Sequence, residues 1–201
     1  MNFFANPNEM INFSRDFVRD RINSLEKDVQ YCLMENNSPK QYAPFPALLY
    51  CFSTIDLLGS LLEGDASRKA DTTNNSKRYM KWFMNYTIEQ TNLLIGIFRH
   101  KLVHLGQPKP VYTDKQGKKF TWIYHHNDAE KHLKIEEVHL SISITSTYSI
   151  QVTHQFNISI MQYMFDIKDS VERSTGYLNA LETTPALQTT FINAIEQIYS
   201  N

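Results

Sequence analysis

The sequence has no excess of charge of either sign and few cysteines. Its 201 residues include 20 basic and 21 acidic side chains, so the formal net charge is −1. This balance excludes a histone-like protein that binds nucleic acid through its overall charge, but it leaves room for a local basic patch. The two cysteines, Cys32 and Cys51, match no zinc-binding or redox spacing. We therefore expect reduced thiols in the core of a cytoplasmic protein.

Several signatures of enzyme and membrane classes are also missing. No apolar run approaches the ~20 residues that a membrane span needs, so we expect no membrane partner. The opening segment MNFFANPNEM lacks a basic region before its apolar residues, and we expect no secretory signal. The glycines are scattered without the spacing of a phosphate-binding loop, and no G-x-S-x-G segment marks a serine nucleophile. We expect no cofactor.

What the chain does contain is a pattern of amphipathic helices, because apolar residues recur at three- to five-residue steps. The pattern predicts helices over residues 8–34, 77–86, 87–104, 156–181 and 186–199, and the segment 47–62, which is apolar nearly all round, predicts a buried central helix. The segment Asn-Asn-Ser-Pro at 36–39 ends the first helix, and the small polar stretch 64–75 predicts a mobile loop. Gly106, followed by Pro108 and Pro110, is the expected stop signal of the fourth helix.

Between residues 111 and 154 the composition shifts toward β-branched and aromatic side chains with partial alternation. We expect two or three antiparallel strands there, with a hairpin turn at 114–117. The sequence therefore predicts a mainly α fold with a single domain over residues 1–201. In that fold a helical bundle carries a small antiparallel β insertion, 111–154, between the fourth helix and the C-terminal helices.

The candidate functional residues lie in the segment RHKLVH, residues 99–104. At about 100° per residue, the fourth helix has a core stripe formed by Leu94, Ile95, Phe98, Leu102 and Leu105. A second arc, on another side of the helix, holds Glu89, Asn92, Gly96, Arg99, His100, Val103 and His104. Because Gly96 permits a close approach and Val103 is apolar, we expect this arc to be covered, by the same face of a second subunit in a homodimer.

The charged and titratable side chains of this arc suit a phosphodiester. Arginine is a fixed positive fork that matches phosphate oxygens. Histidine titrates near neutrality, so it can accept or donate a proton during cleavage. Arg99 and His104 lie about 140° apart around the helix and about 7.5 Å apart along it. They reach a common substrate atom only if their side chains converge or if two subunits combine their motifs.

The pair formed by Arg99 and His104, with the polar His100 after the arginine, resembles the R-x4-6-H signature of the HEPN superfamily at its shortest spacing. HEPN domains are helical bundles that bear this motif near the end of a late helix. The resemblance implies a metal-independent endoribonuclease that acts as a homodimer and forms a 2′,3′-cyclic phosphate by attack of the RNA 2′-hydroxyl. It implies three catalytic residues: His104 as the principal acid and base, Arg99 as the phosphate-binding group and His100 as polar support. Many such domains act as toxins or in antiviral defence, which leaves open a neutralising antitoxin partner.

Basic residues around the motif favour RNA as the partner. Residues 99–119 hold six basic side chains against one acidic side chain, a local charge of about +5. The candidate RNA-binding residues are Lys101, Lys109, Lys118 and Lys119. Phe120, Trp122 and Tyr124 follow at alternate positions and could stack on unpaired bases, although alternating aromatics more often pack on a neighbouring helix.

Four alternatives stay open at the level of the sequence. In one of them the β insertion, 111–154, carries the main function and the bundle only supports it. Basic residues at a helix end also complement the helix dipole, so the motif could be purely structural. The bundle could also be an inactive HEPN-like module that binds nucleotide, RNA or a protein partner. A metal pair at His100 and His104 would need a third ligand from among His125, His126, His132, His139 and His154, and we expect no metal site because no H-E-x-x-H or cysteine partner is present.

Overall fold

The computed structural model of the protein describes residues 3–34 and 43–200. The predicted stop at 36–39 lies outside these residues. The helices are α1 Pro7–Leu33, α2 Pro44–Glu63, α3 Thr72–Phe83, α4 Ile88–Leu93, α5 His100–Leu105, α6 Ile160–Glu172, α7 Tyr177–Thr183 and α8 Pro185–Ser200. The strands are β1 Tyr112–Thr113, β2 Lys119–His125, β3 Ile135–Ser143 and β4 Ser149–Ser159. The predicted mainly α composition is confirmed, and the chain divides into two compact units.

The first unit consists of residues 3–28, 50–88 and 164–200 of the described chain. Its core side chains are completely or almost completely buried and include Val18, Ile22, Phe52, Ile55, Tyr177, Leu181, Phe191 and Ile195. At Gly59, a Cβ atom would lie 2.6 Å from the carbonyl carbon of Asn75, so the glycine lets α2 and α3 approach closely. The buried hydroxyl of Tyr79 pairs with Ser170 Oγ at 3.0 Å, and burial raises the pKa of this phenol.

Helix α3 begins earlier than predicted, within the stretch that we expected to be a loop. Asp71 is its N-cap, and the Asp71 carboxylate accepts a hydrogen bond from the backbone N–H of Asn74 at 3.1 Å. The polar residues Thr72 to Ser76 therefore form the first turn, because the cap satisfies a backbone donor that would otherwise be exposed. Polarity alone does not distinguish a capped first turn from a loop.

The second unit consists of residues 29–34, 43–49 and 89–163 of the described chain and contains the sheet. The strand order is β1-β2-β4-β3. The β1–β2 and β3–β4 pairs are antiparallel, but β2 pairs with β4 in parallel. The prediction of an antiparallel insertion is therefore wrong: the sheet is mixed. The reason lies in β4, whose buried segment from Phe156 to Ser159 occupies a central position, while the more polar β3 remains at the edge.

The predicted hairpin turn at 114–117 is confirmed. The Asp114 carboxylate accepts hydrogen bonds from the backbone N–H groups of Gln116 and Lys118, each at 2.8 Å. Gly117 has φ +83°, a left-handed conformation that favours glycine. An aspartate at the first position and a glycine at the fourth therefore close the connection between β1 and β2.

The predicted helix over 156–181 is wrong at its start and in its middle. Phe156 lies in β4, opposite Trp122 and Ile135, and α6 begins only at Ile160. Ser159 precedes that helix, and its Oγ accepts a hydrogen bond from the N–H of Gln162 at 3.5 Å. The helix then ends at Glu172, ahead of Gly176. Spaced apolar residues such as Phe156 and Ile160 are compatible with either a buried strand or a helix over so short a stretch.

Helix α2 is long and apolar enough to cross a membrane by length and composition, and it alone meets that test among the described residues. Most of this helix is buried inside the protein. The core helix of a bundle has the same composition, as expected for residues 47–62 from their nearly continuous apolar character.

The N-cap of α3 generates a stability prediction. Replacing Asp71 with alanine removes the acceptor for the Asn74 N–H, and we expect a loss of about 1 kcal/mol in the free energy of unfolding, measured by urea titration. The matched control is Asp20→Ala, because Asp20 is an exposed aspartate inside α1, and its replacement should change stability by less than about 0.5 kcal/mol. Equal effects of the two substitutions would contradict the capping role.

Candidate functional site

The motif lies on a helical segment that is not α-helical throughout. Helix α4 continues into a π-helical turn, Leu94–Arg99, and then into α5. The N–H of His100 donates to the carbonyl of Ile95, the five-residue spacing of a π-helix. Gly106 ends the segment with φ +68°, and its N–H donates to Leu102 at 3.0 Å, so the predicted glycine stop is confirmed.

The π turn has an identifiable packing partner. The ring of Tyr112, in β1, lies against Gly96 so closely that a Cβ atom there would be 2.4 Å from Cε2 of the tyrosine. The N–H of Lys109 donates to the carbonyl of Ile97 at 2.8 Å, which holds the following loop along the same turn. The close approach that Gly96 was expected to permit is therefore made by a residue of the same chain.

The π turn also changes which side chains are buried. Arg99 was predicted on the polar arc but is only 8% exposed to solvent. Leu105 was predicted on the core stripe but is 62% exposed. The assignment of faces is wrong for these two residues because it assumed a uniform 100° step, whereas a π turn takes more residues per turn and rotates everything after it. Leu94, Ile95, Phe98 and Leu102 are buried as predicted.

His100 and His104 come together on the surface of α5. Both side chains are exposed, their ring centres are 5.0 Å apart, and their planes meet at 75°. Val103, beside them, is 51% exposed. No hydrogen bond or ion pair joins either imidazole to another side chain in the part of the chain that the structure describes. The pair is accessible to a ligand, and the mainly buried Arg99 precedes it in the chain.

The candidate RNA-binding lysines fall into three places. Lys109 lies over the ring of Tyr112, with its Nζ 5.7 Å from the ring centre, and Tyr112 in turn covers Gly96. Lys118 and Lys119 follow the 114–117 turn at the start of β2. Lys101 is half-buried in α5. The structure thus places Lys109 beside the π turn, and the other lysines on the hairpin and on α5.

The aromatic side chains on β2 pack mainly within the protein. Trp122 lies edge-to-face against Phe98 at 5.5 Å and against Phe45 at 6.0 Å between ring centres. Its indole N–H donates to the carbonyl of Lys109 at 2.9 Å. Phe120 is fully buried, and Tyr124 remains partly exposed. This packing favours the structural interpretation of the alternating aromatics over base stacking.

A second polar cluster, which the sequence did not single out, lies between β2, β3 and β4. The buried Asn157 Oδ1 is 3.1 Å from His125 Nε2 and accepts a hydrogen bond from Gln155 Nε2 at 3.2 Å. Glu136, next to Gln155, accepts a hydrogen bond from Lys131 Nζ, which lowers the pKa of that carboxyl group. These hydrogen bonds account for the cluster as a structural network within the sheet.

No three His, Cys, Asp or Glu side chains are grouped to hold a metal ion within residues 3–34 and 43–200. The third ligand for His100 and His104, sought among the other five histidines, is thus not assembled by the described part of one chain. His100 and His104 remain a two-ligand arrangement.

The contact between Gly96 and Tyr112 predicts that one substitution changes the free energy of unfolding in opposite directions in two backgrounds. Gly96→Ala should destabilise the protein by about 1–3 kcal/mol, because the new methyl group overlaps the tyrosine ring. In a Tyr112→Ala background the same substitution should stabilise it by up to about 1 kcal/mol, since alanine is the better helix former. Urea unfolding of the four proteins measures both effects. A cost that is equal in the two backgrounds would show that the ring does not cause it.

Comparisons with known proteins give no family for this chain. It matches none of the family models, none of the curated proteins and none of the solved structures with which it was compared.

Proposed function

We propose that the protein is a metal-independent endoribonuclease of the HEPN type that cleaves RNA at a composite site formed by two copies of α5. The observation that carries the proposal is the exposed pair of imidazoles at the end of a helix that carries the R-x4-H motif. Two histidines side by side supply the two proton transfers that phosphodiester cleavage requires.

The chemistry can be assigned to named groups. One imidazole removes the proton of the RNA 2′-hydroxyl, and the 2′-oxygen attacks the adjacent phosphorus. The bond from phosphorus to the 5′-oxygen breaks, and the other imidazole, protonated, delivers its proton to that oxygen. The products are a 2′,3′-cyclic phosphate and a 5′-hydroxyl. His104 is the principal acid and base in this scheme. The resemblance gives His100 only a supporting polar role, and we extend that role to the second proton transfer because its ring centre is 5.0 Å from that of His104.

The surroundings of the pair support a polyanionic substrate and a second copy. Arg99 and Lys101 flank His100 in the sequence, and Lys109 is held beside the π turn. Positive charge of this kind attracts a phosphate backbone. Val103 and Leu105 are apolar side chains exposed on the same short helix, and a two-fold partner would bury them.

One observation favours a second function, that of an inactive HEPN-like module that binds RNA, nucleotide or a protein partner. Arg99 retains only 8% of its exposure, so its guanidinium has little surface to offer a phosphate. A buried arginine of this kind serves packing and hydrogen bonding at least as well as catalysis. The two functions differ in whether bound RNA is cut.

The ribonuclease proposal is tested with end-labelled single-stranded RNA in EDTA. We expect the parent protein to release fragments that end in a 2′,3′-cyclic phosphate, and His104→Ala to lower the rate by about 100-fold or more. The matched control is His139→Ala, because His139 is an exposed histidine on β3, and this variant should cleave at the parental rate. Arg99→Ala tests the phosphate-binding role that the resemblance gives to Arg99. We expect this variant to lose activity, with circular dichroism confirming that it folds.

Two outcomes would contradict the proposal. Cleavage that requires a divalent metal, or that persists at the parental rate in His104→Ala, is incompatible with the roles given to the two imidazoles. RNA binding without cleavage by the parent protein, measured by fluorescence anisotropy at several salt concentrations, would instead support the binding module.

A further inference from the structure

The His100–His104 pair has a second chemical capacity besides proton transfer. The two residues are separated by four positions, so they stand one above the other on the same face of α5. Both side chains are exposed, and their only ring contact within the described chain is with each other. Such a pair can turn its ring nitrogens toward a common point without displacing core residues.

The ring-centre separation lies in the range for two imidazoles on one metal ion, and the rings must turn from their present edge-to-face contact to direct one nitrogen each at that ion. A zinc ion lies about 2.1 Å from a ligating imidazole nitrogen, and therefore about 3.2 Å from the centre of the ring. Two such rings at the tetrahedral angle have centres about 5.2 Å apart, and at a right angle about 4.5 Å apart. The observed separation of 5.0 Å falls between these values.

The sequence alone predicts no metal site, but the exposed pair changes that expectation: we infer that His100 and His104 form a two-histidine site for a divalent transition-metal ion, Zn²⁺, Ni²⁺ or Cu²⁺. Imidazole nitrogen suits these ions, whereas Mg²⁺ and Ca²⁺ prefer oxygen ligands. The described part of one chain supplies two ligands, so water or another ligand fills the remaining coordination positions.

The charges beside the pair set the expected strength of this site. Arg99 and Lys101 flank His100 in the sequence and repel a cation. Neither imidazole donates a hydrogen bond to a carboxylate in the described structure, and such a contact would raise its strength as a ligand. The site is therefore an exchangeable one that a chelator empties, and it differs from a buried structural zinc site.

Occupancy by a metal has a consequence for the reaction. A lone pair that binds the ion cannot accept a proton, so a metal at this site inhibits cleavage and EDTA restores it. This consequence rests on the proposed function, but the metal site does not. Binding measured without RNA therefore tests the site by itself, and activity measured in EDTA tests the ribonuclease by itself.

The experiment is isothermal titration calorimetry of the tag-free protein, residues 1–201, with Ni²⁺ and separately with Zn²⁺, after the protein has been stripped with EDTA and dialysed. We expect one metal ion to bind per chain. His100→Gln and His104→Gln should each lower the affinity by about 100-fold, the order of effect expected when one of two linked contacts is lost. Glutamine keeps a polar side chain that is compatible with the helix. His139→Gln, the exposed control histidine, should bind like the parent, and Mg²⁺ should give no binding heat.

A second measurement, thermal unfolding, tests metal binding without relying on the heat of titration. Excess Ni²⁺ should raise the thermal midpoint of the parent and of His139→Gln by a few degrees, because a ligand that binds only the folded state stabilises it. The double variant His100→Gln/His104→Gln should show no such rise. If the double variant binds the metal as strongly as the parent, the ion lies at other residues and the inference is overturned. The inference is also overturned if the parent binds neither Ni²⁺ nor Zn²⁺.

Discussion

The candidate site depends on the close approach of Tyr112 to Gly96. This contact lies at the π turn between α4 and α5, where a larger residue than glycine would overlap the tyrosine ring. The turn sets the rotation of everything that follows it, so Arg99 points inward while His100 and His104 remain at the surface. The properties of the motif thus follow from a packing contact between a residue just before it and a residue of the following strand.

Features with local causes could be predicted from the sequence. The turn at 114–117 depends on an aspartate that accepts backbone hydrogen bonds and on a glycine with positive φ, and both signals lie within four residues. The helix end at Gly106 has the same character. Helix α1 could be predicted because its apolar periodicity extends over many turns, and α2 because its nearly continuous apolar segment is too long for a typical strand.

Features with nonlocal causes could not be predicted. The parallel pairing of β2 with β4 is decided by which strand is buried in the centre of the sheet, and the alternation within each strand does not reveal its neighbour. Phe156 was assigned to a helix because its spacing from Ile160 fits a helical turn, yet its strand partners are more than twenty residues away in the sequence. Similarly, the proximity of the two imidazoles follows from their i, i+4 spacing, but the burial of Arg99 follows from the π turn, which has no clear sequence signal.

The extra residue in the π turn also bears on how this segment tolerates a change of length. A π-helical turn is equivalent to an α-helix into which one residue has been inserted. Loss of one residue between Leu94 and Arg99 would let the helix continue regularly, and the downstream side chains would keep nearly the same direction because the turn already absorbs the extra residue. A single-codon deletion here would therefore remove the π turn while both imidazoles stay at the surface.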